Sequence, residues 1–307
     1  MLSDVSRRKL TLASGIEIAL LDWGGSGPLV LLHHANGFCA GLWGLVAERL
    51  RDRFRLVAMD ARGHGGSSKP DPSQPGSYDW SRFGEDAGEV AHRLASEHGA
   101  TLYGVGHSFG GTALMNAAAD DPSLFRRLLL VDPVLPSPTF FAGAAPRGEN
   151  RDLASSARKR RQVFASRAEA RETWAGRAVF AAWQPGALDL YAEFGLAPRR
   201  EGGFELACPG EIEATIFDHA RRFDAWALAA RVATPSRILC AERGTFGRAV
   251  YEQVAARMPD ARIVDVPTGH LVPMERPDLV AENALEFFEQ VAEGRAQRAV
   301  GERSSEV

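Results

Sequence analysis

A serine flanked by glycines, Gly106-His107-Ser108-Phe109-Gly110, follows the apolar run Leu102 to Val105 and opens a helix-like run from Thr112 to Ala119. Strand, sharp turn and helix in that order form a nucleophile elbow, in which the small neighbours let the backbone hold a hydroxyl out at a strand tip. The chemistry this implies is acyl transfer: Ser108 attacks a carbonyl, a base takes its proton, and fixed donors hold the charge that builds on the carbonyl oxygen. A hydroxyl is a poor nucleophile near neutral pH, so the base must be a group such as imidazole. Of the eight histidines, His270 stands after the last apolar run, Ile263 to Val266, where Pro267-Thr268-Gly269 carries the ring back over the sheet end. His33, His64, His92, His98 and His219 read as bystanders, while His34 and His107 flank functional backbone and are placed on the substrate side. No histidine or cysteine falls in a metal-ligand spacing, so neither metal nor cofactor is expected.

Such residues need a sheet to carry them. Short apolar runs alternate with longer helical patterns, which predicts an α/β protein with a mostly parallel sheet and helices on both faces. An opening hairpin, Lys9 to Ala13 and Ile16 to Asp22 around Ser14-Gly15, precedes six further strands: Leu29 to His34, Arg55 to Asp60, Thr101 to Gly106, Arg127 to Asp132, Arg237 to Ala241 and Ala261 to Val266. Leu42, Val46 and Leu50, then Phe83, Ala87, Val90 and Leu94, repeat at helical spacing between them. From Pro133 to Phe223 the strand rhythm stops for longer than an ordinary connection. Ser166-Arg-Ala-Glu169 reads as a capping box ahead of Trp174, Ala178 and Ala182, and Pro209 suits the first turn of a helix carrying Ile212, Ile216, Ala220 and Phe223. The expected organisation is a core of residues 1–135 and 223–294, a helical cap over 136–222, and a polar, flexible tail over 295–307. A subdomain inserted there would cover the crevice beyond the strand ends, where ligands of open α/β sheets bind.

The 307 residues suffice for a full core plus an insert, and the formal net charge is −3. No basic block could track a phosphate backbone, which argues against nucleic acid as partner. Met1-Leu2-Ser3-Asp4 opens no secretory pattern, and the apolar runs are buried-strand lengths, so no membrane association and a cytoplasmic location are expected. Cys39, Cys208 and Cys240 cannot all pair, which suits a reducing compartment. A small-molecule substrate is the partner these features leave; oligomeric state is not legible.

Several separated segments together resemble the α/β-hydrolase family, in its cap-bearing branch, across nearly the whole chain. His34-Ala35-Asn36-Gly37 is similar to its His-Gly-x-Pro segment, with Ala35 for the glycine and Gly37 for the proline. Asp60-Ala-Arg62-Gly63-His64-Gly65-x-Ser67 is similar to its Asp-x-Arg-Gly-x-Gly-x-Ser segment, and Gly269-His270 to its catalytic-histidine turn. The resemblance implies an eight-stranded α/β-hydrolase fold with an inserted cap. It also implies a Ser-His-acid triad and an oxyanion hole.

For that hole, the N–H of Phe109 at the start of the elbow helix is one donor, and the resemblance supplies the N–H of Asn36 as the other. Most members place the acid after the seventh strand, but in Ile238-Leu-Cys-Ala-Glu242-Arg-Gly244-Thr245 the expected position is Gly244. Asp132, at the end of the sixth strand, is the alternative that some members use, and Glu242 is the other contender. In the cap, Phe140, Phe141, Trp174, Phe180 and Trp183 could line an apolar cavity, with Phe140, Trp174 and Trp183 taken as substrate contacts. Arg161 falls near the Leu153, Ala157 and Phe164 stripe; pointing inward, it would favour an anionic substrate. The leading expectation is a serine hydrolase, esterase-like, acting on a small carboxylic ester, thioester or lactone. Carbon–carbon bond hydrolysis or a lyase reaction on the same fold is the alternative, and a non-catalytic small-molecule receptor is the alternative of another class.

Overall fold

The computed structural model describes residues 5–137 and 153–289. Eight strands build the main sheet, and three short ones fall between its sixth and seventh members. In chain order they are β1 (Ser6–Thr11), β2 (Glu17–Asp22), β3 (Leu29–His33), β4 (Arg55–Met59), β5 (Leu102–His107), β6 (Phe125–Val131), β7 (Val163–Phe164), β8 (Leu196–Pro198), β9 (Phe204–Leu206), β10 (Ser236–Arg243) and β11 (Ala261–Gly269). The sheet order is β1-β2-β4-β3-β5-β6-β10-β11. Only the β1–β2 and β2–β4 pairs run antiparallel; the rest are parallel.

Strand period decides where the core sits. On β3, Leu29 and Leu31 face one layer and Val30 and Leu32 the other, and Leu128 and Leu130 against Leu129 and Val131 repeat this on β6. Both faces are apolar because both are covered. One layer packs against α1 (Gly44–Leu50) and the helix of 277–289. The other packs against α2 (Trp80–His98), α3 (Phe109–Asp120) and the helices Ala225–Ala229 and Arg248–Ala255. Each fully buried aliphatic side chain contributes about 1.5–3 kcal/mol to that packing. No helix of the described residues is long and apolar enough to cross a membrane.

Some expectations change. The first strand ends at Thr11 rather than Ala13, because Leu12 already belongs to the turn, donating to the Ile16 carbonyl at 2.8 Å. Leu42 does not share the stripe of Val46 and Leu50. It lies in a 3-10 turn, Ala40–Trp43, and faces the apolar cluster of Trp174, Leu190 and Tyr191 instead. The insert is not purely helical: β7, β9 and β8 form a small antiparallel sheet. Strands of two or three residues carry too few positions for a period to show. The helix capped by Ser166 runs only over Arg167–Ala175 and stops at Gly176, so Ala178 falls in a separate turn. Ser166 does accept from the Glu169 N–H at 3.1 Å, but the Glu169 carboxylate takes the N–H of Ala165. The helix after Pro209 runs over Gly210–His219 and seats Ile212 and Ile216 against Trp80 and Phe109. Pro209 is its N-cap rather than part of its first turn, and it stops before Ala220, which falls in a 3-10 turn, Ala220–Arg222, and before Phe223. Phe140, Phe141 and the tail from 295 lie outside the described residues.

Candidate active site

β5 and β6 lie side by side with His107 opposite Val131, so the next residues, Ser108 and Asp132, leave neighbouring strand tips together. Ser108 has φ 55 and Asp132 φ 41, the two non-glycine residues with positive φ among those described. Such backbone costs about 1–3 kcal/mol and persists only where surroundings enforce it. At the elbow they do: a Cβ on Gly110 would stand 2.4 Å from the His33 carbonyl oxygen, and one on Gly106 2.6 Å from that of Gly110. Phe109, the first residue of α3, anchors the helix start by packing edge-on against Phe83 (ring centroids 4.5 Å apart) and Trp80 (5.0 Å).

His270 follows β11 and crosses the end of β10 to reach both residues. Its Nε2 lies 2.9 Å from Ser108 Oγ and its Nδ1 2.6 Å from Asp132 Oδ2. The loop that carries it is fixed at two points. Glu275 accepts from the Gly269 N–H at 2.7 Å, and His107 Nε2 donates to the His270 carbonyl at 2.8 Å. Asp132 is fully buried, a position a carboxylate tolerates only when its lone pairs are used. They are: Oδ1 accepts from the Ala241 N–H and the Tyr251 hydroxyl, both at 3.0 Å, and Oδ2 also accepts from the Thr245 N–H at 3.2 Å. Glu242 instead faces solvent beside Arg243, 3.6 Å away. A Cβ on Gly244 would stand 2.5 Å from both Asp132 oxygens. The position is empty because the Asp132 carboxylate fills the space.

The Ala35–Phe38 segment is a tight turn, closed by the Phe38 N–H donating to the Ala35 carbonyl at 3.2 Å. Gly37 stands where the family pattern has proline, and its φ of +78 is one proline cannot adopt. His64 accepts from the Gly37 N–H at 3.0 Å. The N–H groups of Ala35 and Asn36 have no acceptor among the described residues. Phe109, opening its helix, likewise has no intrahelical acceptor for its N–H. His64, set aside in the sequence as a bystander, is thus a support of this turn. Its signal was membership of the Asp60 to Ser67 motif, whose other members also brace backbone. Asp60 accepts from Ala40 and Gly66, Ser67 donates to the Asp60 carbonyl, and Arg62 pairs with Asp86 at 2.6 Å.

His34 and His107 lie together beside the Ala35–Phe38 turn. Both line a cavity of about 10 Å³ with Trp43 and Met274, room for about one water. The ring nitrogens of His34 are committed, to the Ala35 carbonyl at 2.8 Å and the Ala61 N–H at 3.0 Å. Burial lowers His34 to about 4 and, with the neighbouring His270, His107 to about 3. Trp174 stacks on Tyr191 at 4.5 Å within an apolar cluster of the segment between β6 and β10; Trp183 lies 5.8 Å from Phe38, at the Ala35–Phe38 turn. Arg161 points outward, paired with Glu169 at 2.5 Å. Its neighbour Arg160 turns inward to Glu213 and to Tyr191, 2.6 Å away; no periodicity distinguishes the two arginines.

Fold, elbow and strand-end constellation define an α/β hydrolase, and the comparison with known sequences agrees. A model of the alpha/beta hydrolase family matches residues 29–283, and the chain belongs to that family. It is similar to a 2-(acetamidomethylene)succinate hydrolase of Mesorhizobium japonicum, 37% identical over 108 residues, 35% of this chain and 36% of that protein. An N-formylmaleamate deformylase of Pseudomonas putida is 34% identical over 127 residues, 41% of this chain and 45% of that protein. The aligned segments span less than half of either relative. The crystal structure of E-2-(acetamidomethylene)succinate hydrolase superposes with a TM-score of 0.76 at 24% identity, covering 93% of this chain and 99% of that one. This is a likeness of fold.

Proposed function

We propose that the protein is a serine hydrolase in which Ser108 is the nucleophile, His270 the base and Asp132 the acid. The carrying observation is the continuous hydrogen-bonded line Ser108 Oγ, His270, Asp132, at 2.9 and 2.6 Å. Ser108 Oγ forms a bond to the acyl carbon as its proton passes to His270 Nε2, and the carbonyl electrons move onto oxygen, facing the Asn36 and Phe109 N–H groups. Collapse breaks the bond to the leaving group, which takes the proton from His270. Water, deprotonated by the same imidazole, then attacks the acyl-enzyme, and the acid is released with Ser108 restored.

The substrate class is a small acyl compound, first an ester, thioester or lactone. The name of the Pseudomonas putida relative, a deformylase acting on N-formylmaleamate, favours an acyl–nitrogen bond as the second reading. A fluorophosphonate probe followed by p-nitrophenyl esters and N-formyl or N-acetyl amides separates them. Ser108→Ala should take no label and lose several powers of ten in turnover. Residual activity above about a hundredth of wild type would remove Ser108 as nucleophile.

A further inference from the structure

The cap holds the oxyanion turn from the side opposite the core. Asn36 Nδ2 donates to the Glu213 carbonyl at 3.0 Å, and the Tyr191 hydroxyl donates to the Gly37 carbonyl at 3.2 Å. A Cβ on Gly37 would stand 2.5 Å from the Glu213 carboxylate, so cap and turn are in direct contact. Tyr191 cannot rotate away. Its oxygen accepts from Arg160 Nη2 at 2.6 Å, the other Arg160 amino group donates to Glu213, and its ring is stacked on Trp174. Tyr191 is 1% exposed and Glu213 9%.

The Arg160–Glu213 pair is part-buried. Here both partners fix groups that touch the turn. His64 pins the peptide before Gly37 from the core, and Tyr191 pins the peptide after it from the cap. The Asn36 N–H belongs to the adjoining peptide, whose Ala35 carbonyl accepts from the Phe38 N–H at 3.2 Å, so the two clamps act on it through the backbone angles of Asn36 and Gly37.

We propose that Tyr191, oriented by Arg160 and Glu213, is a positioning residue for the oxyanion turn, so that the cap helps aim the Asn36 N–H. This rests on the reading of Asn36 as an oxyanion donor. Hydrogen bonds weaken steeply as their angle falls, and complete loss of such a donor costs about a hundred- to a thousandfold in rate. Loosening it should cost about tenfold.

Tyr191→Phe keeps the ring on Trp174 and removes only the hydroxyl; Arg160→Lys keeps the charge beside Glu213 and loses the planar fork. The readout is the rate of phosphonylation of Ser108 by a fluorophosphonate. In that step the Oγ–P bond forms, fluoride leaves, the proton passes to His270, and the phosphoryl oxygen occupies the oxyanion position. A second readout is the inhibition constant of an alkyl trifluoromethyl ketone, which adds Ser108 to give a tetrahedral alkoxide. Tyr191→Phe should label to the same final fraction about tenfold more slowly, with the ketone about tenfold weaker, and Arg160→Lys should shift both in the same direction by less. Unchanged rate and unchanged ketone affinity with a lowered melting temperature would make the cluster merely structural and overturn the proposal. Should Tyr191→Phe fail to fold, Arg160→Lys decides by the same two numbers. Wild-type protein that takes no label would instead overturn the serine-hydrolase reading, and this proposal with it.

Discussion

Mild acid should unfold this protein through four histidines packed around the site. His33, His34, His64 and His107 are at most 2% exposed. Burial lowers His33 and His107 to about 3, His34 to about 4, and His64 well below its ordinary value. Geometry enforces the neutral form. In His34 one nitrogen faces a carbonyl and the other accepts a backbone N–H, so a second ring proton would meet a donor; His64 Nε2 likewise accepts the Gly37 N–H, with Asn36 Oδ1 also 3.2 Å away. The unfolded chain, titrating near 6.5, binds protons that the native state refuses, so stability is present above that value and falls as pH drops below it. At about pH 5, each of His33, His34 and His107 costs about 2 kcal/mol, about 6 together, and His64 adds in the same direction. Domains carry only about 5–15 kcal/mol in total. The buried Asp60 and Asp86, raised by desolvation, oppose this, since the native state keeps protons that the unfolded chain has released.

The assay is guanidinium unfolding followed by circular dichroism at about pH 7 and about pH 5, with fluorophosphonate labelling of Ser108 as the site readout. A fall of several kcal/mol, with labelling lost in step with the dichroism, is expected. His34→Gln should flatten the pH slope by about 1.4 kcal/mol per unit. Equal stability at the two pH values would refute the reasoning.

Asp132→Asn should lower kcat by about ten-thousandfold with KM little changed, because the amide favours the wrong imidazole tautomer; Glu242→Gln, on a solvent-facing side chain, should stay within about twofold in the same ester assay. Tyr251→Phe removes one donor from Asp132 Oδ1, leaving a more basic carboxylate that favours the charged imidazole. The acidic limb of its pH–rate profile should therefore move to higher pH, and an unmoved limb would show that the Tyr251 hydroxyl only fills space.

What was legible in the sequence was whatever has a period or a strained turn. Alternation on β3 and β6 writes the two-faced sheet, and glycines at 106 and 110 write the elbow. The histidine after the last strand could be placed because loops beyond strand ends converge there. What stayed hidden depends on contacts between distant segments. Arg160 and Arg161 are neighbours of identical type, and only the approach of Glu213 and Tyr191, from separate helices, turns one inward. His64 supports Gly37 across 27 residues of chain. Gly37, an irregularity against the family pattern, becomes a requirement once its φ is known.

On the proposed reading of Asp132 as the acid, an absence in sequence at Gly244 is explained by a presence in space. The carboxylate of Asp132 and any side chain at 244 compete for one volume, 2.5 Å from the would-be Cβ, so the two acid positions exclude each other. Gly244 is not among the positive-φ glycines, and an L-residue fits its backbone once the volume is freed. Asp132→Gly frees it and accepts φ 41 without strain; alone it should cost several powers of ten in kcat. Adding Gly244→Asp returns a carboxylate to the same space from β10, and the double variant should regain at least about tenfold over the single, or about 1.4 kcal/mol of barrier. Gly244→Asp in the presence of Asp132 should be worse than either, since two carboxylates would meet in one buried volume. A double variant no better than Asp132→Gly would mean that volume alone does not determine the acid. The hydrogen bonds from Ala241, Thr245 and Tyr251, which are aimed at a carboxylate arriving from β6, would then be what commits this chain to Asp132.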